Sequence, residues 1–242
     1  MVAILVVTTI LCFVLIDLAV QVVESRRQAR ALAYSPKGTS LAAGEETGRR
    51  KPVSVRSFKE ADYRIPMGIF YHSGHAWANV LMSGHVKVGM DDFAQRSIGK
   101  LDEVELPPIG KEVKQGGKIF TVKQGKRHAT FHSPVDGVIC GVNSTLLENP
   151  ENIKRDPYLE GWICAIKPTN LGENLKSLKV AKEAAAWLKN EITKFKEALA
   201  GMTAKLAPEY GNIQDGGEII DGVLELLDEE SWELFNRKFL AN

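Results

Sequence analysis

The stretch IFTVKQGKRHATFHSPVDGVICGV, residues 119–142, decides the reading of the fold. Its apolar runs Ile119-Phe120-Thr121-Val122 and Gly137-Val138-Ile139-Cys140-Gly141-Val142 are too short for helices, and glycine and proline punctuate the residues between them. Short Val-, Ile- and Phe-rich runs bounded by such residues read as strands. Pro134 with Gly137 marks a sharp reversal, and Pro107-Pro108 with Gly110 marks another. Outward from this stretch, HVKVGM at residues 85–90 and WICAIK at residues 162–167 repeat the pattern. Residues 91–98 and 144–149 read as short helical turns between strands. The expectation is a β-rich barrel or sandwich that begins near residue 65 and closes near Lys167.

Composition excludes several functions. The 242 residues, 44% hydrophobic and 25% charged, suit one or two packed domains. A net charge of +1 gives no field for nucleic acid, and no nucleic-acid-reading motif replaces one. There is no GxSxG elbow, phosphate-binding loop or HExxH pair, so the chain reads as a protein without turnover of its own.

Residues 1–23, MVAILVVTTILCFVLIDLAVQVV, hold one ionisable group, Asp17. At about 1.5 Å per residue, a helix of this length crosses a hydrocarbon core of about 30 Å. No basic residue precedes the apolar run, and Arg26, Arg27 and Arg30 follow it. That order fits an uncleaved anchor, residues 1–24, rather than a signal peptide. The basic flank places the N-terminus outside and the rest of the chain on the cytoplasmic side of a cell inner membrane, with residues 2–23 in the bilayer. Asp17 either packs against a partner subunit within the membrane or reaches the interface from its place near the basic flank. Residues 25–64, mixed in Gly, Ser, Pro, Glu and Lys without an apolar period, read as a loose linker.

The middle of the chain resembles the glycine cleavage H proteins. His75-Ala76-Trp77 is followed by Val88-Gly89-Met90-Asp91-Asp92-Phe93-Ala94-Gln95, similar to the family's "VGITDYAQ"-like stretch. In the family's order come Ile98-Gly99, Val104-Glu105-Leu106-Pro107-Pro108-Ile109-Gly110, a Lys-Glu-Val-Lys run at residues 111–114, Ser133-Pro134-Val135-Asp136-Gly137, Asn149-Pro150-Glu151, Asp156-Pro157-Tyr158 and Glu160-Gly161-Trp162. The resemblance implies a barrel-sandwich hybrid of the lipoyl- or biotinyl-carrier kind over residues 65–172. It also implies one lysine, on a tight hairpin, that carries lipoamide; the cofactor does the chemistry and the protein presents it. Counting back from Ser133 without a gap places that lysine at Lys126. The family's setting is "ESVKA"-like, with an acid three places before the lysine, whereas this chain has Lys123-Gln124-Gly125-Lys126-Arg127-His128.

That substitution opens another use for the hairpin. Lys123, Lys126, Arg127 and His128 form a basic patch able to dock an acidic partner, and like charges here disfavour an enzyme that recognises an acidic hairpin. The five histidines, His72, His75, His85, His128 and His132, lack ligand spacing, so no metal is expected, and His75 reads as structural. Cys140 and Cys164 read as buried core residues. Beyond the barrel, residues 173–242 read as a helical extension. Leu188, Ile192, Phe195 and Leu199 form the stripe of an amphipathic helix over residues 175–199. A second apolar pattern at residues 218–240, including Trp232, either folds back on the domain or binds a partner.

Two functions emerge. One is a non-enzymatic accessory subunit of a membrane complex, without cofactor, docking other subunits through Asp17, the basic hairpin and Trp232. The other is a carrier with lipoamide on Lys126 that serves a dehydrogenase or one-carbon system.

Overall fold

A computed structural model describes residues 57–58, 62–203 and 219–241, all within one compact unit, Val53–Asn242. The expected anchor at residues 1–24, Asp17 and most of the linker lie outside the described residues. Among the described residues no helix is long and apolar enough to cross a membrane.

The strands are β1 (Ser57–Phe58), β2 (Ile69–Tyr71), β3 (Ala76–Val80), β4 (Val86–Met90), β5 (Glu103–Glu105), β6 (Glu112–Val113), β7 (Lys118–Gln124), β8 (Arg127–His132), β9 (Gly137–Val142), β10 (Cys164–Pro168), β11 (Lys179–Val180) and β12 (Ile219–Ile220). A seven-stranded sheet runs β11-β2-β3-β4-β10-β9-β6, a three-stranded sheet runs β5-β7-β8, and β1 pairs β12. Every pairing is antiparallel. The inward residues of the two larger sheets share one core that includes Val86, Val88, Met90, Val104, Val122, Ala129 and Phe131. Burying a side chain of this size contributes about 1.5–3 kcal/mol. In β7 the register to β8 shifts between Lys118 and Phe120. The extra residue of this bulge lets both Ile119 and Phe120 turn inward, and Phe120 stacks on Phe131 at 4.8 Å between ring centroids.

Helix α1 (Asp92–Ile98) starts where the Asp91 side chain accepts from Ala94 N, which satisfies one orphan amide of its first turn. Short helices α2 (Thr145–Glu148) and α3 (Asn152–Arg155) join β9 to β10. After β10 come α4 (Leu171–Lys176), β11 and the long α5 (Ala181–Thr203). The stripe Leu188, Ile192, Phe195 and Leu199 is buried in the main core.

Several expectations are corrected. Residues 62–64, assigned to the linker, pack on the domain. Tyr63 is buried beside Phe93, with the Arg96 guanidinium over its ring, and Tyr158 donates its hydroxyl to Arg64 O. Cys140 is exposed, because Ile139 takes the inward face of β9 and the next side chain points out. Cys164 is buried, and burial pushes its thiol up to about 12. The helix expected from residue 175 starts at Ala181, since Lys179–Val180 completes the edge of β2. The tail, expected to be helical, is only partly so. It comprises β12, a 3-10 turn (Val223–Leu226), α6 (Glu229–Phe235) and a π-helical turn (Asn236–Leu240).

Candidate functional site

The hairpin β7–β8 carries the candidate lysine. Gln124 pairs with Arg127, which leaves Gly125 and Lys126 as a two-residue loop. Gly125 has φ +59, the left-handed conformation that such loops favour in glycine. Its amide donates to Asp102 Oδ2 at 2.8 Å. The Gln124 amide clamps the same corner by donating to Ile98 O and Lys100 O. Lys126 is exposed at the tip, so its side chain has room for an acyl group, and no residue beyond 124–126 comes within 4 Å of a Cβ built on Gly125.

The four basic residues do not act together. Lys123 donates to Glu103 and Glu105 across the β5–β7 pair, at 3.2 and 2.5 Å. Donating to these carboxylates, to Glu105 above all and then Glu103, holds its ammonium above the usual lysine range. Arg127 turns into the tail, donating to Leu224 O at 2.8 Å and Leu227 O at 2.6 Å. It meets Glu229 at 3.4 Å and lies over the Trp232 ring at 5.5 Å. His128 is exposed, but its carbonyl accepts from Trp232 Nε1 at 3.0 Å and Asn236 Nδ2 at 2.7 Å. Of the expected patch, Lys126 and the His128 ring face solvent.

Trp232 is corrected in the same way. It is 1% exposed, covering the free edge of β8 rather than offering a surface to a partner. An uncovered strand edge presents unpaired carbonyls, and this tail satisfies that of His128 with two side-chain donors. The seat of the tail is a close backbone approach. Gly222 N donates to Arg96 O at 2.6 Å, and a Cβ on Gly99 would lie 2.6 Å from Gly222 Cα. Ile98-Gly99, one of the sequence blocks, is thus also the landing point of the extension.

Lys126, Lys100, Asp102, Gln124, Gly125, Arg127, Glu225 and Glu229 line one open cleft of about 450 Å³. Sequence reading missed its carboxylates, Asp102, Glu225 and Glu229, and the pair Glu103 and Glu105, at alternate positions of β5, that flanks Lys123 outside the cleft. Glu225 and Glu229 lie about 100 residues away, beyond any local pattern. Among the described residues no three His, Cys, Asp or Glu side chains cluster as a metal site.

The sequence model of the family described as "Glycine cleavage H-protein" matches residues 69–191. A probable glycine cleavage system H protein of Pyrococcus abyssi is 43% identical over 129 residues, 53% of this chain and 96% of the relative. A glycine cleavage system H protein 2 of Aquifex aeolicus is 34% identical over 138 residues, 55% of this chain and 86% of the relative. A crystal structure of a glycine cleavage system H protein from Mycobacterium marinum has 30% identity and a TM-score of 0.45, covering 50% of this chain and 97% of that one.

Proposed function

The chain belongs to the glycine cleavage H-protein family, and from that premise we propose that it is a lipoyl carrier whose arm is attached to Lys126. The family's proteins are non-enzymatic carriers of covalently attached lipoamide that interact with the other glycine cleavage proteins, and this chain is not an enzyme. The observation that carries the proposal is the exposed position of Lys126 on a two-residue loop, with open space beside Gly125. When bound, lipoamide supplies a disulfide that is reduced and reoxidised. The chain supplies an anchored, projecting amine. For attachment, the neutral Lys126 Nζ adds to the carbonyl carbon of an activated lipoyl donor. The new amide C–N bond forms, the activating group leaves with its electron pair, and the amine proton goes to solvent.

The accessory-subunit reading is less well supported, because the relatives are glycine cleavage H proteins, Lys123 is held between Glu103 and Glu105, and Arg127 is committed to two carbonyls of the tail. The anchor remains part of the proposal. Residues 2–23 hold the carrier at the cytoplasmic face of the inner membrane, a reading that rests on their apolar composition and the arginines after them.

Intact mass measurement of the full chain from its native host tests the carrier reading. The expected result is the mass of one lipoyl group, mapped to Lys126 and lost in Lys126→Arg. An unmodified Lys126, or a lipoyl group on another lysine, would overturn it.

A further inference from the structure

The family's hairpin has an acid three places before its lysine, and here that place holds Lys123. Resting on the carrier reading above, we propose that the C-terminal tail replaces the missing charge: Glu225 and Glu229 are the residues through which a lipoyl-attaching enzyme with a basic surface recognises Lys126.

The charges of the cleft carry the argument. Its cations are Lys100, Lys126 and Arg127, and its carboxylates are Asp102, Glu225 and Glu229. Three against three gives zero. Two of the three carboxylates come from the tail, so without them the cleft would hold +2. Lys123 adds nothing to this excess, because Glu103 and Glu105 compensate it on the other side of the hairpin.

Glu225 is held in place by a hydrogen bond, and Glu229 stands exposed within reach of a hairpin cation. Glu225 Oε1 accepts from Lys100 N at 2.5 Å. Glu229 lies in the first turn of α6, behind the Asp228 cap that accepts from Ser231 N. Its Oε2 is 3.4 Å from Arg127 Nε. Arg127, the residue after the carrier lysine, is thereby turned away from the tip and neutralised. A basic enzyme surface approaching Lys126 meets a cleft whose cations are matched by carboxylates instead of an uncompensated run of cations. Like charges brought together across an interface are costly, and the sign of a patch chiefly sets how fast partners meet.

The test uses the full chain with Glu225→Gln and Glu229→Gln combined. Glutamine keeps an acceptor for Lys100 N and removes only charge. Circular dichroism and the urea midpoint check the fold. Lipoylation is followed by intact mass with a lipoate-attaching ligase, and binding of the unmodified chain to that ligase is measured separately. The expected outcome is about a tenfold rise in KM and in the dissociation constant, with kcat unchanged. The difference should narrow as screening shortens from about 8 Å at physiological salt to about 3 Å at 1 M. Adding Lys100→Gln, which lowers the cleft from +2 to +1, should restore part of the binding, an effect that a structural role of the glutamates does not predict. Equal KM and binding in variant and wild type would overturn the inference while leaving the carrier reading intact, and so would a loss confined to kcat or tracking a lost fold. A wild-type chain that accepts no lipoyl group would remove the carrier reading itself, and this inference with it.

Discussion

At the scale of single residues, the histidines divide into roles that spacing alone could not assign. His75 was legible as structural, but its constraints were not. It has φ +59, a costly conformation for a side chain with a Cβ. It is held there by Asp91 Oδ2 at 2.8 Å, by stacking on Phe93 at 4.4 Å between ring centroids, and by the tilted ring of Trp187 at 4.9 Å. Trp187 comes from α5, so the barrel histidine is fixed partly by the extension. His72 makes the sharper prediction. Burial first, then the positive neighbours His132, Lys179 and His75, lower its pKa from 6.5 to about 4. Its Nδ1 accepts from Gly74 N at 3.1 Å, a bond that protonation of that nitrogen would break. The folded state thus binds fewer protons than the unfolded state between pH 6.5 and 4, so stability falls as pH drops through that window, by up to about 3 kcal/mol. Urea midpoints measured from pH 7 to 4.5 should fall in the wild type and fall less in His72→Gln. Parallel slopes in the two proteins would refute this account.

At the scale of elements, the strands were legible because alternation and punctuation are local properties. The edges between elements were not. Nothing near Lys179 and Val180 signals that β2 needs a partner, and a helical period read across them extended α5 by six residues in the wrong direction. In the tail, the run Asp228-Glu229-Glu230-Ser231 reads as an interruption of an apolar pattern, yet Asp228 is the cap that starts α6. Arg127 is the joint between the hairpin and this tail. Arg127→Ala would remove the guanidinium donors from Leu227 O and from Leu224 O, which keeps only the Leu227 amide at 3.4 Å, and would remove the contact with Trp232, at a cost of about 2–3 kcal/mol. Arg127→Lys should recover little of it, since an ammonium cannot span two carbonyls and stack on a ring at once. A lowered urea midpoint with faster hydrogen exchange over residues 223–240 is the expected outcome. Unchanged exchange there would mean that the Trp232 and Asn236 bonds to His128 O hold the tail unaided.

At the scale of the molecule, a single core runs from the sheets into the extension: Val86, Phe131, Phe195, Trp232 and Phe239 belong to one buried cluster. Barrel and tail should therefore unfold together. The N-terminal approach joins the same unit through the pairing of Ser57–Phe58 with Ile219–Ile220, and the unit begins at Val53. A chain cut at residue 60 would lose β1 and leave β12 without its partner, whereas one starting at Val53 keeps both. The chain starting at Val53 should thus match the full chain in urea midpoint and slope, because the slope follows the surface exposed on unfolding and this chain keeps the whole compact unit Val53–Asn242. The two should differ in where they partition. With residues 2–23 apolar enough to span a bilayer, the full chain should sediment with membranes and need detergent for release, while the chain from Val53 should stay in the supernatant. High salt separates the outcomes further: an attachment through Arg26, Arg27 and Arg30 to anionic headgroups would be stripped as screening increases, and an apolar span would not. Recovery of the full chain in the supernatant without detergent would refute the anchor and leave a freely diffusing carrier.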